Sequence, residues 1–520
     1  MGVKTKPGRG IIQKDVDSLL TSVDVARRDA SLRLDPKRRA LMGQFLTPIS
    51  VAKFMAGMID CKKSVVRVLD PGAGVGSLSA AFVGMMCRRS PRPEAVLLTA
   101  YEIDPLLVER LQSTVVLCRA ACKKAGIRFE ARIAVDDFLE VGASTFAGDL
   151  FTAREDGEFD CAILNPPYRK IHTESRERRF LRAIGLETTN LYAGFLAVTS
   201  RFLGPGGEMV AITPRSFCNG PYFEPFRHFF LREMRFRRIH VFDARDRAFV
   251  DDKVLQENVV FHAVKTANQV GDVVVSSSLD PEESGLHSRK IKHEELVRPG
   301  DSHAFIHIVP DGDGDPIRHQ IGVLAANLAD LGLSVSTGRV VDFRAKDLLR
   351  AQPGSNTVPL IYPCHMQSGF VDWPNGHTRK PNALALGPRA ENLPVPAGYY
   401  VVVKRFSAKE ERRRIVAAVY DPTRVRAEQV AFENHLNYYH LRGAGLPVTF
   451  AKGLAAFLNS TLVDSYFRQF SGHTQVNATD LRALRYPGWE SLVALGRRIG
   501  KTFPEQDKLD RLLQEVVFGG

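Results

Sequence analysis

Cysteine is scarce in this chain and unpatterned: seven in 520 residues, an odd number, scattered along the sequence. That argues against a disulfide-built secreted scaffold and points to reduced thiols in a cytoplasmic protein. No uninterrupted apolar stretch is long enough to span a bilayer, so no membrane-spanning segment is expected. The opening MGVKTKPGRGIIQKD has basic residues but no apolar core behind them, so a secretory leader is not expected either. Met1-Gly2 would begin a myristoylation pattern, but Lys6 stands where Ser or Thr belongs and Pro7 follows. Internal repeats, coiled-coil heptads and low-complexity tracts are missing too. Negative charge is in deficit, with 58 Asp and Glu against 71 Lys and Arg and a formal net charge of +13. Such an excess points to a polyanionic partner, nucleic acid first and membrane surface second. Hydrophobic content of 44% and charged content of 25% are ordinary for a soluble globular protein, and 520 residues suffice for two or three domains.

What is present is more telling. The run Cys161-Ala162-Ile163-Leu164 reads as a buried strand, and Asn165-Pro166-Pro167-Tyr168 follows it. Two prolines cannot continue a central strand, so the chain turns there. An amide, a proline carbonyl and an aromatic ring are left at the carboxyl end of a strand, the edge where open α/β sheets bind ligands. The Asn165 side-chain oxygen and the Pro166 carbonyl are both acceptors. Together they can hold an NH₂ group by both hydrogens, with Tyr168 stacked on the ring that carries it.

Other strand ends carry matched groups. Val65 to Asp70 is β-branched and apolar, and Pro71-Gly72-Ala73-Gly74-Val75-Gly76 leads from it into a helical pattern. Such glycines let backbone approach a ligand, with free N–H groups of the next helix facing it. Val96 to Tyr101 ends in Glu102-Ile103-Asp104-Pro105, an acid placed to accept from both hydroxyls of a ribose. Ala131 to Val135 ends in Asp136-Asp137-Phe138, a carboxylate for an adenine amino group and a ring for its face. Strands near Glu208–Thr213, Arg237–Phe242 and Asn258–Val264 complete an expected sheet, with a helical lead-in over residues 1–40.

This set resembles the gamma-class DNA methyltransferases, the adenine-N6 enzymes of type II restriction–modification systems. The resemblance rests on Gly43-Gln44-Phe45-Leu46-Thr47-Pro48, then the glycine loop, then Asn165 to Tyr168, and spans roughly residues 35–265. It implies an α/β fold, a Rossmann-like class I methyltransferase sheet over 1–270, and a C-terminal target-recognition domain over 271–520. It implies S-adenosylmethionine as cofactor. Thr47 and Pro48 would contact its amino-acid end, Asp70, Gly72 and Gly74 its methionine moiety, Glu102 its ribose, and Asp137 and Phe138 its adenine. Asn165, Pro166, Pro167 and Tyr168 would be the catalytic turn, and Phe249 would stack on the other face of a target base flipped out of double-stranded DNA. A specific recognition sequence and a cognate restriction endonuclease follow from the same resemblance, whereas which sequence, which endonuclease and whether the enzyme is a monomer are not legible in the residues.

The second half says less. Asp311 to Asp315 is calcium-like, but Pro316 replaces the needed Gly and no closing Glu follows, so it reads as a surface turn. His303 and His307 have no third ligand nearby, so no metal is expected. Pro363-Cys364 resembles the proline-preceded nucleophile of methylating enzymes that work through a cysteine, a chance match beside Asn165 to Tyr168. Lys409 to Arg414, Asn434 to His440 and Phe467 to Asn477 hold Arg, Lys, Asn and Gln suited to phosphates and base edges. The polar stretch Thr266 to Gly300 reads as the domain boundary. Rival readings are methylation of an RNA base or a protein glutamine, and a non-catalytic DNA-binding subunit. The intact Asn165, Glu102 and Asp137 argue against the last.

Overall fold

A computed structural model describes residues 9–147, 158–242, 258–266, 271–308, 314–374, 379–407, 411–470 and 475–519. The chain divides into two compact units, Met1–Gly312 and Asp313–Gly520. In the first come α1 (Arg9–Arg33), α2 (Pro36–Met42), α3 (Ile49–Gly57), β1 (Val65–Pro71), α4 (Ser77–Arg88), β2 (Ala95–Tyr101), α5 (Pro105–Ala125), β3 (Arg128–Ala134) and α6 (Phe138–Ala147). Then follow β4 (Phe159–Leu164), α7 (Arg176–Ala183), α8 (Leu191–Phe202), β5 (Leu203–Pro214), α9 (Glu224–Glu233), β6 (Met234–Phe242), β7 (Asn258–Lys265), β8 (Val273–Ser278) and β9 (His287–Ile291).

The nine strands form one sheet in the order β3-β2-β1-β4-β5-β7-β6-β8-β9. β1 to β5 run parallel, and β7 lies antiparallel between β5 and β6. Successive side chains in a strand face opposite ways, which explains two cores. Val66, Val68, Ile163 and Val210 pack with α1, α3, α4 and α5 on one face. Leu69, Ala162, Leu164 and Met209 pack with α6, α8 and α9 on the other. The β4 residues Cys161 to Leu164 are fully buried, so the continuous apolar run is a strand covered on both faces. α5 shows how local signals set an element. Asp104 caps it by accepting the Leu106 N–H at 3.0 Å, Pro105 begins it, and Leu107, Leu111, Val115, Cys118 and Cys122 form its buried stripe.

Strand order places the site. From β1 the chain moves outward through β2 and β3, then crosses to β4 on the other side of β1. The connections leaving β1 and β4 diverge, and a crevice opens above their carboxyl ends.

The seven strands expected from sequence are all present. The boundary between 270 and 271 is corrected. β8 pairs with β6 and β9 with β8, so the sheet continues past it and the first unit runs to Gly312. The hairpin looks like a linker in sequence because it lies at the sheet margin. Val273 and Val275 alternate inward, while four of the five β9 residues are not buried.

The second unit has a six-stranded sheet that includes Ser334–Thr337, Tyr400–Lys404, Ala417–Tyr420 and Leu436–His440, and a five-stranded sheet that includes Thr357–Ile361 and Gln429–Phe432. Its helices Val448–Leu458 and Trp489–Arg497 cross at backbone contact. A Cβ on Gly453 would come within 1.8 Å of the Leu492 carbonyl oxygen, and one on Gly496 within 1.7 Å of that of Thr449. Among the described residues no helix is long and apolar enough to cross a membrane.

Candidate active site

The carboxyl end of β1 carries Asp70, fully buried. Its Oδ2 accepts the Ser79 hydroxyl at 2.6 Å, and its Oδ1 is buried without a partner. Burial pushes this carboxyl up to about 7, against the opposing hydrogen bond from Ser79. After β1, the N–H groups of Gly72 and Ala73 both donate to the Tyr101 carbonyl at 2.9 Å, which ties the glycine loop to the end of β2. Glu102 completes the tie. Its Oε2 accepts the Gly74 N–H at 2.8 Å, and its Oε1 accepts the N–H groups of Ile103 and Asp104 at 2.9 Å. Burial raises the Glu102 carboxyl above the ordinary range, while these three N–H groups oppose the rise. Beyond β3, Asp137 accepts the Leu139 N–H at 2.9 Å at the start of α6. The Phe138 ring is buried 5.1 Å from that of Tyr101 and 5.3 Å from that of Phe195.

At the end of β4 the Asn165 amide is oriented from one side. Its Nδ2 donates to the Phe45 carbonyl at 2.9 Å and to the Thr47 hydroxyl at 3.0 Å. Both amide hydrogens are thereby used, and Oδ1 is left buried with no partner. The segment that holds Asn165 is locked to the same turn, because the Tyr168 N–H donates to the Gly43 carbonyl at 2.9 Å. Gly43 has φ +65°, and a Cβ there would sit 2.7 Å from the Tyr168 carbonyl carbon. Only glycine fits both the conformation and the approach. The Tyr168 hydroxyl donates to the Ile212 carbonyl of β5 at 3.2 Å, and burial raises its pKa further. Its ring lies 5.6 Å from that of Phe45 and 6.2 Å from that of Tyr192.

These elements border a cavity that opens to solvent. Thr47, Gly72, Gly74, Glu102, Asp137, Phe138, Asn165 and Pro167 line it. A fixed carboxylate, the packed rings of Phe138 and Phe195, and an unsatisfied amide oxygen are the groups a nucleoside bearing a reactive chain would meet.

Residues 99–249 match the family model described as the Eco57I restriction-modification methylase. The chain is 41% identical over 500 residues to the type II methyltransferase M.PstI of Providencia stuartii, across 96% of this chain and 97% of that one. It is 42% identical over 503 residues to the type II methyltransferase M.BsuBI of Bacillus subtilis, across 96% and 98%. The chain belongs to the type II methyltransferases of restriction–modification systems. Among solved structures it is similar to the one described as a DrdV–DNA complex, at 13% identity and a TM-score of 0.49, covering 92% of this chain and 59% of that one.

In this type II methyltransferase, four of the expected site residues do not line the cavity. Pro48, Asp70, Pro166 and Tyr168 lie outside its wall, and Asp70 is wholly enclosed. Phe249 lies outside the described residues. Sequence reasoning missed Phe195 and Leu191, because α8 shows only the apolar repeat of a core helix. It also missed Arg169 and Glu177, which line the cavity as an ion pair. Arg169 directly follows Tyr168, and that adjacency was the available signal.

Several residues expected to face DNA are structural instead. Arg414 is buried with its Nε 3.2 Å from the Ser407 hydroxyl, and Arg413 donates to the Asn459 carbonyl. Leu436 to His440 form a buried strand in which Asn437 donates to the Val476 carbonyl at 2.7 Å. Lys409 and Glu410 lie outside the described residues.

Proposed function

We propose that this protein transfers a methyl group from S-adenosylmethionine to N6 of an adenine flipped out of a specific site in double-stranded DNA, and so protects that DNA from a cognate restriction endonuclease. The observation that carries the reading is the Asn165 amide. Its hydrogens are spent on Phe45 and Thr47, so its bare oxygen is a fixed acceptor that a substrate amine can satisfy. Leaving it unpaired costs about 1–3 kcal/mol, which a bound amine would recover.

The cofactor, when bound, supplies an electrophilic methyl on a sulfonium, so the chain needs no nucleophile of its own. Asn165 Oδ1 and the Pro166 carbonyl accept the two amine hydrogens and aim the nitrogen lone pair. This is orientation and electrostatic preorganisation rather than proton abstraction, since the amide is neutral. Glu102, held by three N–H groups, offers its remaining lone pairs to ribose hydroxyls. Phe138 offers its ring to the adenine of the cofactor, and Asp137 accepts from its amino group. Tyr168 stacks on the target base and offsets the stacking it loses on leaving the duplex. Phe249 is the proposed partner on the other face. All seven cysteines are free thiols, in keeping with a cytoplasmic enzyme.

Tritium transfer from labelled S-adenosylmethionine to plasmid DNA, RNA and total protein tests the substrate class, and mass analysis of digested nucleosides tests the atom. N6-methyladenine in DNA is expected. Label in RNA or protein, or a methylated cytosine, would overturn the reading.

A further inference from the structure

The second unit presents an aromatic ring that no role described above uses. Phe343 is 69% exposed, on a turn anchored by Val340 and Ala345 at 0% and 4%. The N–H groups of Arg344 and Ala345 close the turn on the Val341 carbonyl at 2.9 and 3.0 Å. Asp342, beside the ring in sequence, accepts the Tyr362 hydroxyl at 2.7 Å and the Lys380 ammonium at 2.9 Å. The backbone is thus pinned while the ring stays in solvent.

A single exposed ring is ordinary on a protein surface. This one lies on a stretch of chain rich in cations. The Arg344 guanidinium lies 5.4 Å from the ring centroid. Lys346 and Arg350 are exposed on the same stretch, and Arg389 joins it through Asp347 at 2.6 Å. With Lys380 there are five cations against three carboxylates, Asp342, Asp347 and the buried Glu433 that acts on Lys380.

We propose that Phe343 and the cations around it are a duplex-DNA contact of the second unit, with the cations on phosphates and the ring against base edges in a groove. The inference rests on the reading that the substrate is double-stranded DNA. Lys and Arg position a protein on the backbone, whereas an apolar ring meets a thymine methyl or wedges at a flexible base step. A turn already fixed by buried neighbours needs little ordering on binding.

The test uses the full-length protein and duplex oligonucleotides carrying the site mapped by sequencing plasmid DNA that the enzyme has methylated. F343A is expected to weaken cognate binding on the order of tenfold, within the range of one lost base contact. F343W should bind within about threefold of wild type, since it keeps an aromatic face. The double variant R344A/K346A should flatten the dependence of log affinity on log salt by about 1–2. Cofactor affinity, measured without DNA, should not move in any variant. Wild-type cognate affinity in F343A overturns the proposal. If F343A also melts early, the double variant decides, and an unchanged salt slope overturns it. Failure of the adenine reading would show separately, as the wrong methylated nucleoside from wild-type enzyme.

Discussion

Asn165 is held from behind. Phe45 and Thr47 take both hydrogens of its amide, so the rotamer is set before any substrate arrives. Asn165→Ala removes the oxygen without filling the cavity, and turnover should fall roughly 10²-fold or more, as when one preorganised polar group is lost. Cofactor affinity should persist, and single-turnover rates with calorimetric titration would separate the two. Glu102 plays a double part. Glu102→Ala should weaken S-adenosylmethionine binding by on the order of 1.5–3 kcal/mol through lost charged acceptors. It also orphans the N–H groups of Gly74, Ile103 and Asp104, so an earlier melt should accompany the weaker binding. Unchanged affinity would move the ribose partner elsewhere, but not to Asp104, whose carboxylate caps α5. Asp70 makes a pH prediction. In the fold it keeps its proton up to about pH 7, while in an unfolded chain it releases it near 3.9. Between those values the folded state binds more protons, so the Asp70 contribution to stability falls as pH rises and levels off above 7. Its ceiling is roughly 4 kcal/mol. Asp70→Asn should remove this slope, with the melting-temperature gain of the variant over wild type growing from pH 4 to 7. A constant difference across that range would show that Asp70 does not titrate there.

At the scale of elements, the glycine-kinked segment before α3 is what links the two halves of the site. Gly43 lies against the Tyr168 backbone, and Phe45 and Thr47, on either side of Leu46, supply the Asn165 anchors. Gly43→Ala adds left-handed strain of about 1–2 kcal/mol and a Cβ at a distance the Tyr168 backbone cannot tolerate. Turnover should fall at least tenfold, because displacing a positioning group by about 1 Å costs on that order or more. A melting shift of only a few degrees alongside the lost turnover would locate the damage at the site. The sequence showed this segment as Gly-Gln-Phe-Leu-Thr-Pro but not what it touches, since Phe45 acts through its backbone carbonyl and every residue offers one. Strands β1, β2, β4 and β7 were legible because each is a short apolar run with a marked end. Leu191 and Phe195 were not, because a residue lining a cavity from an amphipathic helix has the same spacing as one filling a core. The β8–β9 hairpin was misread for the opposite reason. Half of it faces water, so its composition is that of a linker. Arg413 and Arg414 warn that a basic run can be spent on helix ends and backbone carbonyls rather than on a partner.

For the whole molecule, the formal charge of +13 makes salt the first variable to control, because each phosphate neutralised steepens the loss of binding with ionic strength. The division at Gly312 then sets where the chain can be cut. A chain ending at residue 270 loses β8 and β9, which strips the β6 edge of its parallel partner and leaves the neighbours of Val273 and Val275 uncovered. It should aggregate, since a bare apolar strand edge pairs with other chains. A chain ending at residue 312 keeps the nine-stranded sheet and the cavity, so it should melt cooperatively and bind S-adenosylmethionine. Site choice is proposed to reside in the second unit. The shorter chain should therefore methylate cognate and scrambled duplexes at similar, slow rates, while the full-length protein strongly prefers the cognate. Near-infrared light scattering and circular dichroism check folding first, and the ratio of methylation rates on the two duplexes follows. Should the chain ending at 312 keep the full preference, recognition would have to lie in the loops after Tyr168 and Phe217, both on the carboxyl edge of the sheet, and the second unit would serve affinity alone.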